Sequence, residues 1–180
     1  MSGFEFVFVL ISIIAGLALA QLLSGLARPP KNSRGQTDIA HVAFSAATIM
    51  LLITVWWATF RWQKYEVWTF TEFFILCGYV SMFYVMAVIL SPLRTAELPE
   101  FSQVRTRFYS VFAFYCLLEP MVIYIRDDEL APWYYVPMMI HLFALSCIGI
   151  FARRDMFDRV FSIWLCFINI LWTFLARFTG

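Results

Sequence analysis

GFEFVFVLISIIAGLALAQLLSGLA, residues 3–27, decides the fold class of this chain. The stretch holds one charge, Glu5, and no proline. As a helix rising 1.5 Å per residue it is long enough to cross the ~30 Å hydrocarbon core of a bilayer. No Lys or Arg precedes Arg28, so the basic n-region of a cleavable signal peptide is missing. The stretch therefore reads as a retained first membrane span.

Outward from it, the pattern repeats. Further apolar runs occupy 40–60, 68–90, 108–125, 132–152 and 160–177. Proline and charge break them at Arg28-Pro29-Pro30-Lys31, Pro92-Leu93-Arg94, Arg126-Asp127-Asp128-Glu129 and Arg153-Arg154-Asp155. The expected fold is an all-helical membrane bundle of six spans in one transmembrane domain covering 1–180, with three helical hairpins as one arrangement. Composition agrees: 62% of the 180 residues are hydrophobic, 14% are charged, and mean hydropathy is +0.77. A soluble domain is about 45–50% apolar and about 25% charged. Six spans of ~20 residues consume two-thirds of the chain and leave too little for a separate catalytic domain.

Basic residues set the expected orientation. Loops after spans 1, 3 and 5 carry Arg28, Lys31, Arg34, Arg94, Arg105, Arg107, Arg153, Arg154 and Arg159. Loops after spans 2 and 4 carry only Arg61, Lys64 and Arg126. This places the first set in the cytoplasm and both termini outside a cell (inner) membrane. Trp56, Trp57, Trp62, Trp68, Trp133 and Trp172 fall at the opposite ends, where amphipathic rings favour the boundary. Arg153, Arg154 and Arg159 suit anionic lipid head groups. With a net charge of +1 the chain carries no field for nucleic acid.

Two features concern packing. Ser12, Gly16, Ala20 and Ser24 recur every four residues on one face of span 1. Such a stripe lets another helix approach closely, within the bundle or in a homo-oligomer or membrane-complex partner. Spans 1 and 3 also share a weak echo. Glu5-Phe6 and Glu72-Phe73 open them, and Ser24-Gly25 and Ser91-Pro92 close them, at an offset of 67.

Polar groups inside spans mark the candidate site. Glu119 is expected ~9 Å below the outer end of span 4, and His141 ~13 Å below the outer end of span 5. Antiparallel neighbours at similar depth would let the two meet. Tyr115 lies one turn before Glu119, and Pro120 removes a backbone donor there. In span 6, Ser162, Cys166, Asn169 and Thr173 share a face; His41, Ser45 and Thr48 repeat the pattern in span 2. Glu5, Glu72, Asp127, Asp128 and Glu129 add an acidic outer mouth. Glu119, His141, Tyr115, Asn169, Glu72 and Glu5 thus compose an expected ion or proton path.

Catalytic signatures are missing. There is no phosphate loop, zinc helix or nucleophile elbow. Cys77, Cys116, Cys147 and Cys166 lie inside apolar runs without metal spacing. His41 and His141 differ in depth by ~15 Å, too far for two axial ligands of one haem. No catalytic residue, metal or cofactor is therefore expected. Asp155 and Asp158 alone give weak support to an enzyme acting on lipid. The expected function is proton or cation movement, with a non-catalytic anchor, sensor or scaffold subunit as the alternative.

Overall fold

The structure is a computed structural model that describes residues 3–32, 35–64, 68–93, 98–127 and 133–178. Arg34, Arg94, Asp128 and Glu129 lie outside the described residues, as do the side chains of Lys64, Arg126, Asp127 and Arg177. Six helices follow one another: α1 (Gly3–Leu26), α2 (Ile39–Ala58), α3 (Phe70–Leu90), α4 (Phe101–Asp127), α5 (Tyr135–Ala152) and α6 (Asp155–Phe178). A 3-10 turn, Thr59–Lys64, extends α2. All six are long and apolar enough to cross a membrane. Between 28% and 44% of each apolar window is buried against the rest of the chain. Large side chains such as Leu17, Ile53, Phe74, Leu117, Ile140 and Phe167 point outward on every helix. Water would not tolerate that much apolar surface, whereas lipid does. The chain is a multi-pass membrane protein.

Helix ends follow local chemistry. Thr69 and Glu72 form a capping box on α3: Glu72 N–H donates to Thr69 Oγ1 at 3.3 Å, and Thr69 N–H donates to Glu72 Oε2 at 2.8 Å. Asp38 caps two helices at once. Its Oδ1 accepts from the Ala40 and His41 amides at the start of α2, and its Oδ2 accepts from the Phe101 amide that opens α4. The preceding loop turns through Gly35 at φ +73°, and Asp38 N–H donates back to the Pro30 carbonyl. Asp38→Ala is expected to destabilise the fold by about 1–2 kcal/mol, since it leaves amide donors at two helix N-termini without their acceptor. A shift in the detergent unfolding midpoint measures this, and Asp38→Asn should recover part of it.

Two helices start earlier than their apolar runs. α4 begins at Phe101 rather than 108, and α6 at Asp155 rather than 160. The cause is shared. Arg105 on the extra turns of α4 pairs with Asp155 and Asp158 on the extra turn of α6, so both charged turns are absorbed into helix.

The closest packing follows chain order only for α4 and α5. α1 lies most closely against α3, α2 against α6, and α4 against α5, while α5 and α6 touch sparsely. The echo between spans 1 and 3 falls close to the register of the α1–α3 contact, which runs at offsets of 67 and 66. Phe6 and Phe73 sit with ring centroids 6.3 Å apart, and at the other end Gly25 meets Ser91. A Cβ on Gly25 would overlap the Ser91 side chain, and the Gln21 amide donates to the Ser91 carbonyl beside it.

That contact uses a face of α1 other than the Ser12–Ser24 stripe, which leaves most of the stripe outside the bundle. Val7, Ile11, Ala15, Ala18, Leu22 and Gly25 are the buried positions. Gly16, Ala20 and Ser24 are exposed, and a Cβ on Gly16 would meet nothing within 4 Å. Ser12 is half-buried and accepts from the Trp56 indole at 3.3 Å. α1 carries two rows of small residues, and the row holding Ala15, Ala18 and Gly25 takes the close contact inside the chain.

The centre of the bundle is aromatic. Phe44 of α2 packs against Phe101 (4.5 Å between centroids), Phe108 (4.9 Å) and Phe161 (5.7 Å). Lipid is as apolar as these rings, so their contribution is close packing rather than escape from water.

Candidate functional site

α4 presents one inward stripe: Arg105, Tyr109, Phe112, Tyr115 and, half-buried at its far end, Glu119. These positions recur within a narrow arc of a 3.6-residue helix. Polar groups occupy the two ends of the stripe and phenyl rings the middle.

At the far end, Glu119 collects tyrosines. Tyr79 of α3 donates its hydroxyl to Glu119 Oε2, and Tyr135 of α5 donates to Oε1 at 2.8 Å. Tyr115 lies beside the carboxyl and stacks on Tyr79 with centroids 5.7 Å apart. All three tyrosines are fully buried. Three helices therefore converge on one carboxyl group. Pro120 follows it inside α4 and lacks the amide that would bond the Cys116 carbonyl, so the helix is softer at this point. A charged carboxylate at the centre of a span costs ~2.5–3.5 kcal/mol on insertion scales. Hydrogen bonds to a charged group return ~1.5–3 kcal/mol each. Phenol donors from α3 and α5 can therefore offset much of the cost of a charged carboxylate here.

At the near end, Arg105 is clasped by α6. Its Nε donates to Asp158 Oδ2 at 2.6 Å, and an Nη donates to Asp155 Oδ1 at 2.6 Å. Tyr109 donates to the other Asp158 oxygen at 2.8 Å. Asp155 and Asp158 also occupy the first turn of α6, where the helix dipole favours acids. Asp158 is thus held by α4 through both of its oxygens. Among the described residues no cluster of three His, Cys, Asp or Glu could hold a metal.

Between the two ends lies an aromatic layer. Phe108 and Phe112 stack nearly parallel, Phe161 of α6 stacks on Tyr109, and Phe112 stacks on Tyr115.

The remaining expected site residues lie elsewhere. His141 does not join Glu119. It is exposed on the outside of α5, and its Nε2 accepts from the Trp164 indole of α6 at 3.1 Å. Depth was the wrong guide, because α5 is rotated by its own small residues. Tyr135, Met139, Leu142, Ser146 and Gly149 make its buried face, and Gly149 packs directly on the Tyr109 ring. His141 falls outside that arc. Glu72 is engaged in the α3 capping box, and Glu5 is exposed near the start of α1. Asn169 is buried but donates to the Leu165 carbonyl of its own helix. Ser162 and Thr173 likewise bond to their own backbone, and Cys166 donates to the Ala43 carbonyl of α2. The α6 stripe is thus a packed contact with α2. Arg153, Arg154 and Arg159 are all exposed around the α5–α6 turn, with Arg153 left-handed at φ 46°.

Sequence reasoning missed Tyr79, Tyr135, Arg105 and Asp38. For Asp38 the signal was present, as an acid directly before an apolar helical run. For the tyrosines it was not, because one tyrosine among many aromatics has no distinguishing pattern. No family model, curated protein or solved structure matches the chain.

Proposed function

We propose that the chain forms, alone or as an oligomer, a pathway for protons or small cations across a cell (inner) membrane, with Glu119 as the ion-binding group. The observation that carries this reading is the convergence of Tyr79, Tyr135 and Tyr115 on Glu119 beside Pro120. A carboxylate at depth is expensive, and intramembrane acids line ion paths more often than they serve packing alone. The aromatic layer below it supports a closed gate, and Arg105 with its two acids supports an anchored opposite end. In the orientation favoured by the basic loops, Glu119 lies toward the outside and both termini are outside.

Flux tests the proposal. Protein reconstituted in liposomes holding a pH-sensitive dye should leak protons under a potential, and Glu119→Gln should lower the leak to the level of empty liposomes. Gln keeps an oxygen to accept one tyrosine, so the fold should survive. Equal flux from both proteins, or none from either for protons, K⁺ and Na⁺, would overturn it.

One observation favours a second reading, a non-catalytic anchor, sensor or scaffold subunit. The exposed Gly16, Ala20 and Ser24 row suits close approach by another helix. Purification only with a second polypeptide, and no conduction, would support that reading.

A further inference from the structure

Arg153 closes α5 in the left-handed region, at φ 46° and ψ 40°. Among the described residues it is the non-glycine residue with a positive φ. Helices commonly end in this conformation, but the residue there is usually Gly, because a Cβ crowds the carbonyl that follows. An arginine at this place works against its own backbone. Nothing within the described residues rewards it. The guanidinium groups of Arg153, Arg154 and Arg159 are exposed, and none has an acid or a hydrogen-bond partner there.

The acids nearest in sequence are committed elsewhere. Asp155 and Asp158, in the first turn of α6, both bind Arg105 of α4. Three cations therefore remain on the short turn and on the helix that follows it. The turn joins one apolar window ending at Ala152 to another beginning at Asp155, so it sits at a membrane boundary. Phe151 and Met156 flank it and are 84% and 78% exposed. Apolar side chains beside unpaired guanidiniums match the edge of a bilayer, where acyl chains cover the first and phosphates meet the second. A guanidinium offers a phosphate two parallel N–H donors. Unneutralised positive charge favours a lipid of net negative charge over a zwitterionic one.

We propose that the α5–α6 turn is a binding site for the head groups of anionic phospholipids, with Arg153, Arg154 and Arg159 on phosphate and Phe151 and Met156 in the acyl edge. The contact with phosphate offsets the unfavourable backbone at Arg153, since arginine can make it and glycine cannot. Bound lipid would hold the ends of α5 and α6 together, two helices that otherwise touch sparsely. This site is independent of Glu119 and of any transport by the chain.

The experiment is thermal melting of the full-length protein in nanodiscs of phosphatidylcholine, alone and with phosphatidylglycerol added. The wild type should melt higher when phosphatidylglycerol is present. Arg153→Gly relaxes the backbone, so in phosphatidylcholine alone it should melt about 2–4 °C above the wild type. It should also lose part of the gain from phosphatidylglycerol. A double variant, Arg154→Gln with Arg159→Gln, leaves the backbone at Arg153 untouched and should lose most of that gain. Equal gains from phosphatidylglycerol in the wild type and both variants overturn the proposal. So does an Arg153→Gly protein that melts below the wild type in phosphatidylcholine, because Arg153 would then be held by a contact within the chain. The same gain from inorganic phosphate added to neutral nanodiscs overturns a lipid site in favour of the free anion.

Discussion

Arg105→Ala is expected to cost about 3–5 kcal/mol of fold stability, the largest loss from any single truncation considered for this chain. The Asp158 side chain is 3% exposed, and the guanidinium is its charge partner. Removing the guanidinium leaves a buried carboxylate with only the Tyr109 hydroxyl. The energy lies in that abandoned charge more than in the pair itself, which cost much of its attraction to desolvate. Substitution by Lys should recover part of the loss, because it restores the charge but not the planar fork that reaches both acids. Asp155→Asn should cost no more than about 1 kcal/mol, since its side chain is 77% exposed and solvent screens it. Unfolding titrations in mixed micelles read all three. If Arg105→Ala proved as mild as Asp155→Asn, the clasp between α4 and α6 would not be what lets their charged turns remain helical.

Gly149→Ala is expected to destabilise by about 1–3 kcal/mol, although alanine is normally the better helix former. A Cβ there would lie 2.7 Å from Cδ2 and 2.8 Å from Cζ of the Tyr109 ring. That ring cannot swing aside cheaply. Its hydroxyl is held by Asp158, and Phe161 stacks on it with centroids 5.7 Å apart. The added methyl must push α5 away from α4 or break the Tyr109–Asp158 bond. A double-mutant cycle separates the cause from helix propensity. Tyr109→Ala removes the obstacle, so the pair of substitutions should cost less than the sum of the two singles. Additive losses would place the effect elsewhere in α5.

These two predictions rest on contacts that no sequence pattern announces. Arg105 reads as a loop residue just before an apolar run, and Gly149 as one small residue in a span. Only the meeting of α4, α5 and α6 makes them a clasp and a close approach. The Glu119 site is intermediate. Its carboxyl, its depth, Tyr115 and Pro120 are legible along one helix, because they sit on one strip of sequence. Tyr79 and Tyr135 are not, because they arrive from α3 and α5.

What the sequence determined by itself is what length, composition and local chemistry control. The six spans follow from apolar runs long enough for a bilayer, and the basic ends from charge between them. The Thr69–Glu72 capping box and the Asp38 cap follow from residues within three positions of each other. What the tertiary structure decided is rotation about each helix axis. It turned His141 outward and the Gly16–Ser24 row away from the bundle, and it gave Glu119 its tyrosines. In water a helix declares its inner face by apolar periodicity. In lipid both faces are apolar, so that signal is lost. The inner face is then set by which small residues admit a neighbour, as Gly25 admits Ser91 and Gly149 admits Tyr109, and by which polar groups find partners on other helices.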